Sequence, residues 1–440
     1  MKQHNKPNDS SELRYQLHSE ALDLHTPKDN QQPDALEQAK VRLEQQDYAG
    51  AERLARQALA DDPRSPRARN FLAVVFGFTE RSDQAIQIFR EIIEAHRTKP
   101  YAYYNLASLL HKGGKSEASL AALEKLFARA TFNSPGPGTV YSRALSLCEQ
   151  VQSALAEKHY ERASQEVQGL GRSVQALTGY PVAVLSEDLP RDVTVAVETA
   201  WVSNRSQHVI RCSRSFPRVL QPHLIAHQLI RIELLAQARK TGKARGFTTT
   251  PANVQFFKRL LHLRRPQICR LLEKGVDPKF IARAAWDNVR SLLHLLYTCP
   301  IDLVVETSLR DRLPVLAASQ FLDLARYFAS APNPAELFER EQILPRTLVR
   351  VGLAFNCVQA RLFGSLFANT SALALAYKPT EVYPLASRLW NCWQAAAASL
   401  GPGDEYLLVD RFAEILGLRK GYEWVSELPE GGPISGAALN

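Results

Sequence analysis

The sequence predicts a mainly α-helical chain with a small β-sheet, an α+β fold in separate parts. Three observations carry this expectation. Small and apolar residues recur at intervals of 34 through the first third of the chain. Three short β-branched runs then lie between residues 182 and 212. Helical patterning fills the remainder, to about residue 418. Ahead of them, residues 1–34 are polar and rich in Asn, Gln, Asp and Ser, so a disordered leader is expected there. The leader has neither the apolar core of an export signal nor a run long enough to cross a bilayer.

Composition sets the class. A chain of 440 residues with 45% apolar and 22% charged residues is ordinary globular protein, long enough for two or three domains. Its six cysteines, Cys148, Cys212, Cys269, Cys299, Cys357 and Cys392, are scattered singly. That spacing suits neither a zinc knuckle nor a disulfide framework, and a reducing cytoplasm fits best. The net charge is +9, with the densest basic band at Arg239, Lys240, Lys243, Arg245, Lys258, Arg259, Arg264, Arg265 and Arg270. The only interleaved aromatics are Phe247, Phe256 and Phe257, and no nucleic-acid motif accompanies the band. It reads as a solvated helix face, so neither nucleic acid nor membrane is an expected partner.

The repeats come next in chain order. Ala39, Ala73 and Ala107 are spaced by 34, as are Leu72 and Leu106 and as are Ala51 and Ala85, with Ala118 following at 33. Tyr48, Ala58 and the Asp62-Pro63 turn complete a first unit; Phe76 and Phe89 a second; Leu110 a third, and the second unit's closing proline is displaced to Pro100. Residues 35–130 thus resemble three tetratricopeptide repeats. The resemblance implies helical hairpins stacked into a short superhelix, whose concave face holds a protein or peptide partner. The segment from Asn133 to Gly138, Asn-Ser-Pro-Gly-Pro-Gly, breaks helicity. Residues 131–180 then read as a linker with capping helices, either two helices or one bent one between Tyr141 and Thr178.

Strands are expected at Val182–Leu185, Val193–Val197 and His208–Cys212, each bounded by turn residues. A helix follows from Pro222 to Lys240. Residues 181–425 form the second domain and residues 426–440 a flexible tail. A sheet leading directly into this helix is the order found in zinc peptidases of the H-E-x-x-H type, whose two histidines bind zinc and whose glutamate activates water. In that register this chain carries His227, Gln228 and Arg231. Gln228 cannot take a proton from water, and Arg231 has no lone pair to give a metal.

Downstream, Pro300-Ile-Asp-Leu-Val-Val-Glu306 places Asp302 and Glu306 one turn apart. The combination resembles bacterial tetratricopeptide proteins with a zinc-peptidase-like domain of the glutamate-ligand type, over residues 180–325. The resemblance implies that His227 and Glu306 stand at metal-ligand positions, that Gln228 stands at the base position and that Arg231 replaces a ligand. These are vestigial positions, and Arg231 could fill the cation's place against Glu306. Two alternatives stay open. Asp302 could cap its helix while Glu306 pairs with Arg310 or Arg312. Or His223 and His227, themselves four apart, could supply two ligands displaced from the family register, although Pro222 puts His223 in the first turn, a common place for a capping or surface role. Glu233 is expected to be solvated, and His262 and His294 to be core or interfacial; so are Tyr383, Trp390 and Trp393, beside Asn391 and Cys392.

The expected function is partner binding or scaffolding in the cytoplasm, with a degenerate peptidase-like domain, no catalytic residues and no cofactor. The alternative is a metal-dependent peptidase or hydrolase with an atypical zinc site at His223, His227 and Glu306.

Overall fold

The structure, a computed structural model, describes residues 34–129, 139–190, 193–262, 265–330 and 346–425, apart from residues 368–372, 375 and 379. The expected disordered leader and flexible tail therefore lie outside the described residues, save Asp34. The chain divides into two compact units, residues 1–155 and 156–440.

The first unit is built from six helices in sequence: α1 (Ala35–Glu44), α2 (Tyr48–Asp61), α3 (Pro66–Phe78), α4 (Ser82–Ala95), α5 (Pro100–Lys112) and α6 (Ser116–Arg129). Each packs on the next, pairing α1 with α2, α3 with α4 and α5 with α6. Local chemistry sets their starts. Asp34 accepts from the Leu36 N–H, Asp47 from Gly50 and Ser65 from Ala68, while Pro66 and Pro100 occupy first-turn positions where no N–H is needed.

The period of 34 appears twice over in the backbone. Gln46, Glu80 and Gly114 all adopt left-handed conformations, with φ of 61°, 61° and 72°. The residue after each returns its N–H to the carbonyl five positions back: Asp47 to Arg42, Arg81 to Phe76 and Lys115 to Leu110. These are Schellman closures of the first helix in each pair. Between the helices Ala39, Ala51, Ala73, Ala85 and Ala107 are fully buried, letting the backbones approach. The third unit corrects the sequence reading: Ala118 is exposed. Ser119, in true register, is buried and donates its hydroxyl to the Ala107 carbonyl at 2.7 Å. A serine meets the same size limit, which is why the alanine pattern missed it.

Residues Val140–Thr178 form one helix, α7, the single-helix alternative of the sequence reading, and the division between units falls inside it. In the second unit β1 (Val182–Glu187) and β2 (Val195–Glu198) flank β3 (His208–Ser213), β1 parallel to it and β2 antiparallel. A one-turn helix, α8 (Ala200–Ser203), precedes β3, and α9 (Gln221–Lys240) follows it. Then come α10 (Pro251–His262), α11 (Arg265–Glu273), α12 (Pro278–Arg312), α13 (Ala317–Ser330), α14 (Arg346–Leu366), α15 (Tyr383–Ala397) and α16 (Glu405–Leu416). The expected run of helices has one addition, a long-range antiparallel pairing of β4 (Gly246–Thr248) with β5 (Glu423–Val425). Asp410 ties it down by accepting from the Tyr422 hydroxyl and the Trp424 indole.

The apolar core of this unit joins β3, α9, α12 and α14–α16 and takes in Tyr383, Trp390 and Trp393, the core placement expected of them. Helix α12 is long and apolar enough to cross a membrane by length and composition, but most of its apolar window is buried in this core.

Candidate functional site

Three helices of the second unit bring the candidate residues together. α9 carries His223, His227, Gln228 and Arg231; α12 carries Asp302 and Glu306; α13 adds Gln320 and Asp323. α9 packs against both of the others, so the four-residue spacings His223–His227 and Asp302–Glu306 face each other as two short ladders.

His223 is the centre. It is 1% exposed, and both ring nitrogens meet carboxylates: Nε2 lies 3.1 Å from Glu306 Oε2 and Nδ1 lies 3.0 Å from Asp323 Oδ2. Only the imidazolium can donate to both. Burial works against that charge, but Glu306 and Asp323 outweigh it and raise the pKa to about 10. Burial likewise works against the Glu306 carboxylate, and His223 and His227 outweigh it, holding the pKa down at about 2. The Gln320 amide completes the shell, donating to the Glu306 side chain at 2.8 Å and to its backbone carbonyl at 2.9 Å. A first-turn histidine has become the most enclosed of the set, because α13 closes over the start of α9.

His227 is placed less tightly. Its Nε2 lies 3.4 Å from Asp302 Oδ1 and 3.6 Å from Glu306 Oε1, both beyond a good hydrogen bond. Its Nδ1 faces the Gln228 amide nitrogen at 3.3 Å. Asp302 Oδ1 is buried with no hydrogen-bond partner.

Several expected contacts are replaced. Asp302 is not a helix cap, since α12 runs from Pro278 straight through Pro300. Arg312 bonds to Glu233 at 3.0 Å, so Glu233 is paired where solvation was expected. Arg310 stacks over Phe367. Among the described residues Arg231 makes no bond to Glu306, so it does not stand in for a cation there. Its charge acts elsewhere: burial lowers the pKa of His294 on α12, and Arg231 adds to that lowering. The cationic partner of Glu306 is His223. Sequence reasoning missed Gln320 and Asp323, whose signal was two polar residues three apart, on one face of an amphipathic helix.

Chemically, the cluster is a buried, internally bonded set of acids and histidines. Among the described residues no group of three or more His, Cys, Asp or Glu side chains is placed to hold a metal ion. The donors of His223 and Glu306 are spent on one another.

Compared with known families, residues 36–98 match the family model described as tetratricopeptide repeat. This span covers α1 to α4, and together with the stacked helical pairs it supports a tetratricopeptide protein. Nothing among curated proteins or solved structures matches the chain.

Proposed function

We propose that this chain is a partner-binding, scaffolding protein, whose repeats hold a protein or peptide and whose second domain keeps the outline of a zinc-peptidase site without its chemistry. The observation that carries the reading is the repeat match over residues 36–98, which such modules use for protein contacts. The surface would be the concave side, lined by the first helix of each pair. There α5 is buried throughout its middle, Tyr101 to Leu110, whereas α1 leaves Gln38, Val41 and Arg42 exposed, with Val41 at 50%. On this reading the partner lies against α1.

Three features support an inactive second domain. Gln228 stands where a general base is needed, Arg231 stands where a ligand is needed, and His223 occupies Glu306. Cys212, Cys269, Cys299, Cys357 and Cys392 are free thiols, in keeping with a cytoplasmic setting. A photo-crosslinking residue at position 41, in cells producing the full chain, should capture a discrete partner, with Val41→Asp abolishing an adduct formed from Gln38. Absence of any adduct beyond that from an exposed control position on α7 would count against the reading.

One observation favours a second reading, a metal-dependent hydrolase using His223, His227 and Glu306. The His223 Nδ1–Asp323 contact at 3.0 Å matches the carboxylate support that metal-bound histidines receive. An ion would have to displace the His223–Glu306 hydrogen bond. Stoichiometric zinc in the purified protein, lost on His223→Ala together with peptide hydrolysis, would establish this reading in place of the first.

A further inference from the structure

Strand β1 is an open edge. Among the described residues it pairs on one side only, with β3, in the order β1-β3-β2. The bonds at its two ends fix the phase of the ladder: His208 N–H donates to the Pro181 carbonyl at 2.8 Å and Arg214 N–H to the Glu187 carbonyl at 2.9 Å. In a parallel pair with this register, odd-numbered residues of β1 turn their backbone groups toward β3. Val182, Val184 and Ser186 turn theirs away. Of these, the Ser186 carbonyl is held by Arg214 Nε at 3.2 Å, leaving a second lone pair.

The side chains along that edge are apolar and uncovered. Val184 is 46% and Leu185 40% exposed, and as neighbours they project from opposite faces of the strand. Exposed edges are usually blunted by lysine, an internal proline or a bulge. Between Val182 and Ser186 this one has none of them.

We infer that β1 pairs with β1 of a second copy of this chain, antiparallel and centred on Val184, joining two three-stranded sheets into one of six strands. The residues are self-complementary in that register. Val184 exchanges both backbone bonds with its own counterpart, Val182 meets Ser186 and Ser186 meets Val182. Val184 packs beside Val184 on one face, while Leu185 lies over Ala183 on the other. Glu187 falls opposite Pro181, so no like charges meet. The arrangement is an isologous two-fold, which closes at the dimer. One strand pair buries less than a standard interface, so the dimer is weak and forms with rising concentration.

The test is sedimentation of the full chain across a wide range of concentration. The wild type should pass from monomer to dimer, and Val184→Lys, which sets two ammonium groups face to face, should weaken association at least tenfold with an unchanged circular dichroism spectrum. Because Val184 opposes itself at a Cα separation of about 5.5 Å, compatible with a disulfide, Val184→Cys in a Cys269→Ser background should give a covalent dimer on mild oxidation. Leu185→Cys should not. Monomer at every concentration, a dimer indifferent to Val184→Lys, or equal cross-linking by the two cysteine variants would overturn the inference. So would a monomer that binds an extended apolar peptide at this edge, since the occupant would then be another chain.

Discussion

His223 shows how a single side chain can close a site. Its two nitrogens are each engaged by a carboxylate, so removing the ring leaves the buried Glu306 and the half-buried Asp323 without their shared cation. Breaking a buried pair in this way costs roughly 3–5 kcal/mol. We expect His223→Ala to lose stability of that order in urea unfolding, and a loss under about 1 kcal/mol would mean that the triad is not a bonded unit. The same contacts predict a pH profile. The depressed Glu306 pKa, about 2 against an ordinary 4.5, gives stability present above 4.5 and lost as pH falls toward 2. The raised His223 pKa, about 10 against 6.5, gives stability present below 6.5 and lost as pH rises toward 10. Both contributions are complete only between 4.5 and 6.5. Melting temperature should be highest in that window, and His223→Ala should flatten its alkaline slope. The four-residue spacing of His223 and His227 was legible in the sequence. Their partner Asp323 was not, because nothing local marks which residues of a distant helix will reach a buried ring.

At the scale of elements the repeats were legible because packing limits residue size, and size leaves a period. What the period did not expose is the backbone. Gln46 and Glu80 share the left-handed conformation of Gly114, yet neither residue type advertises it. For a non-glycine that conformation costs about 1–2 kcal/mol, while glycine gives back ~0.5–1 in unfolded-chain entropy. Glu80→Gly should therefore stabilise the first unit by up to about 1 kcal/mol, and Gly114→Glu should destabilise it by a similar or larger amount. In the core of the same hairpins, Ala73→Phe should cost about 1–3 kcal/mol by overpacking. Thermal melts in which Gly114→Glu and Ala73→Phe both match the wild type would contradict the shared-turn geometry. The length of α7 was harder to read, since glycines at 169 and 171 suggest a break that the surrounding helix overrides.

For the whole molecule, the proposed peptidase-like outline of the second domain can be tested by asking whether its helices leave room for a metal site. Sheet, helix and acidic helix come in the order the sequence suggested, but the central contact joins Glu306 to His223, four positions before the His227 of the H-E-x-x-H register. His223 holds Glu306, and Arg231 acts toward His294. Restoring the register with Gln228→Glu and Arg231→His would supply His227, a new histidine and Glu306 as three ligands beside an activating carboxylate. That double variant should still bind zinc poorly, because a metal must first break the bond between His223 and Glu306. Adding His223→Leu releases Glu306 while keeping the first turn of α9 apolar, and this triple variant should gain stoichiometric zinc, read by metal analysis of the purified protein. Tight zinc in the double variant would show that His223 is no obstacle. No zinc in the folded triple variant would show that the three positions do not meet in ligand geometry, and would count against the peptidase-like reading of the domain.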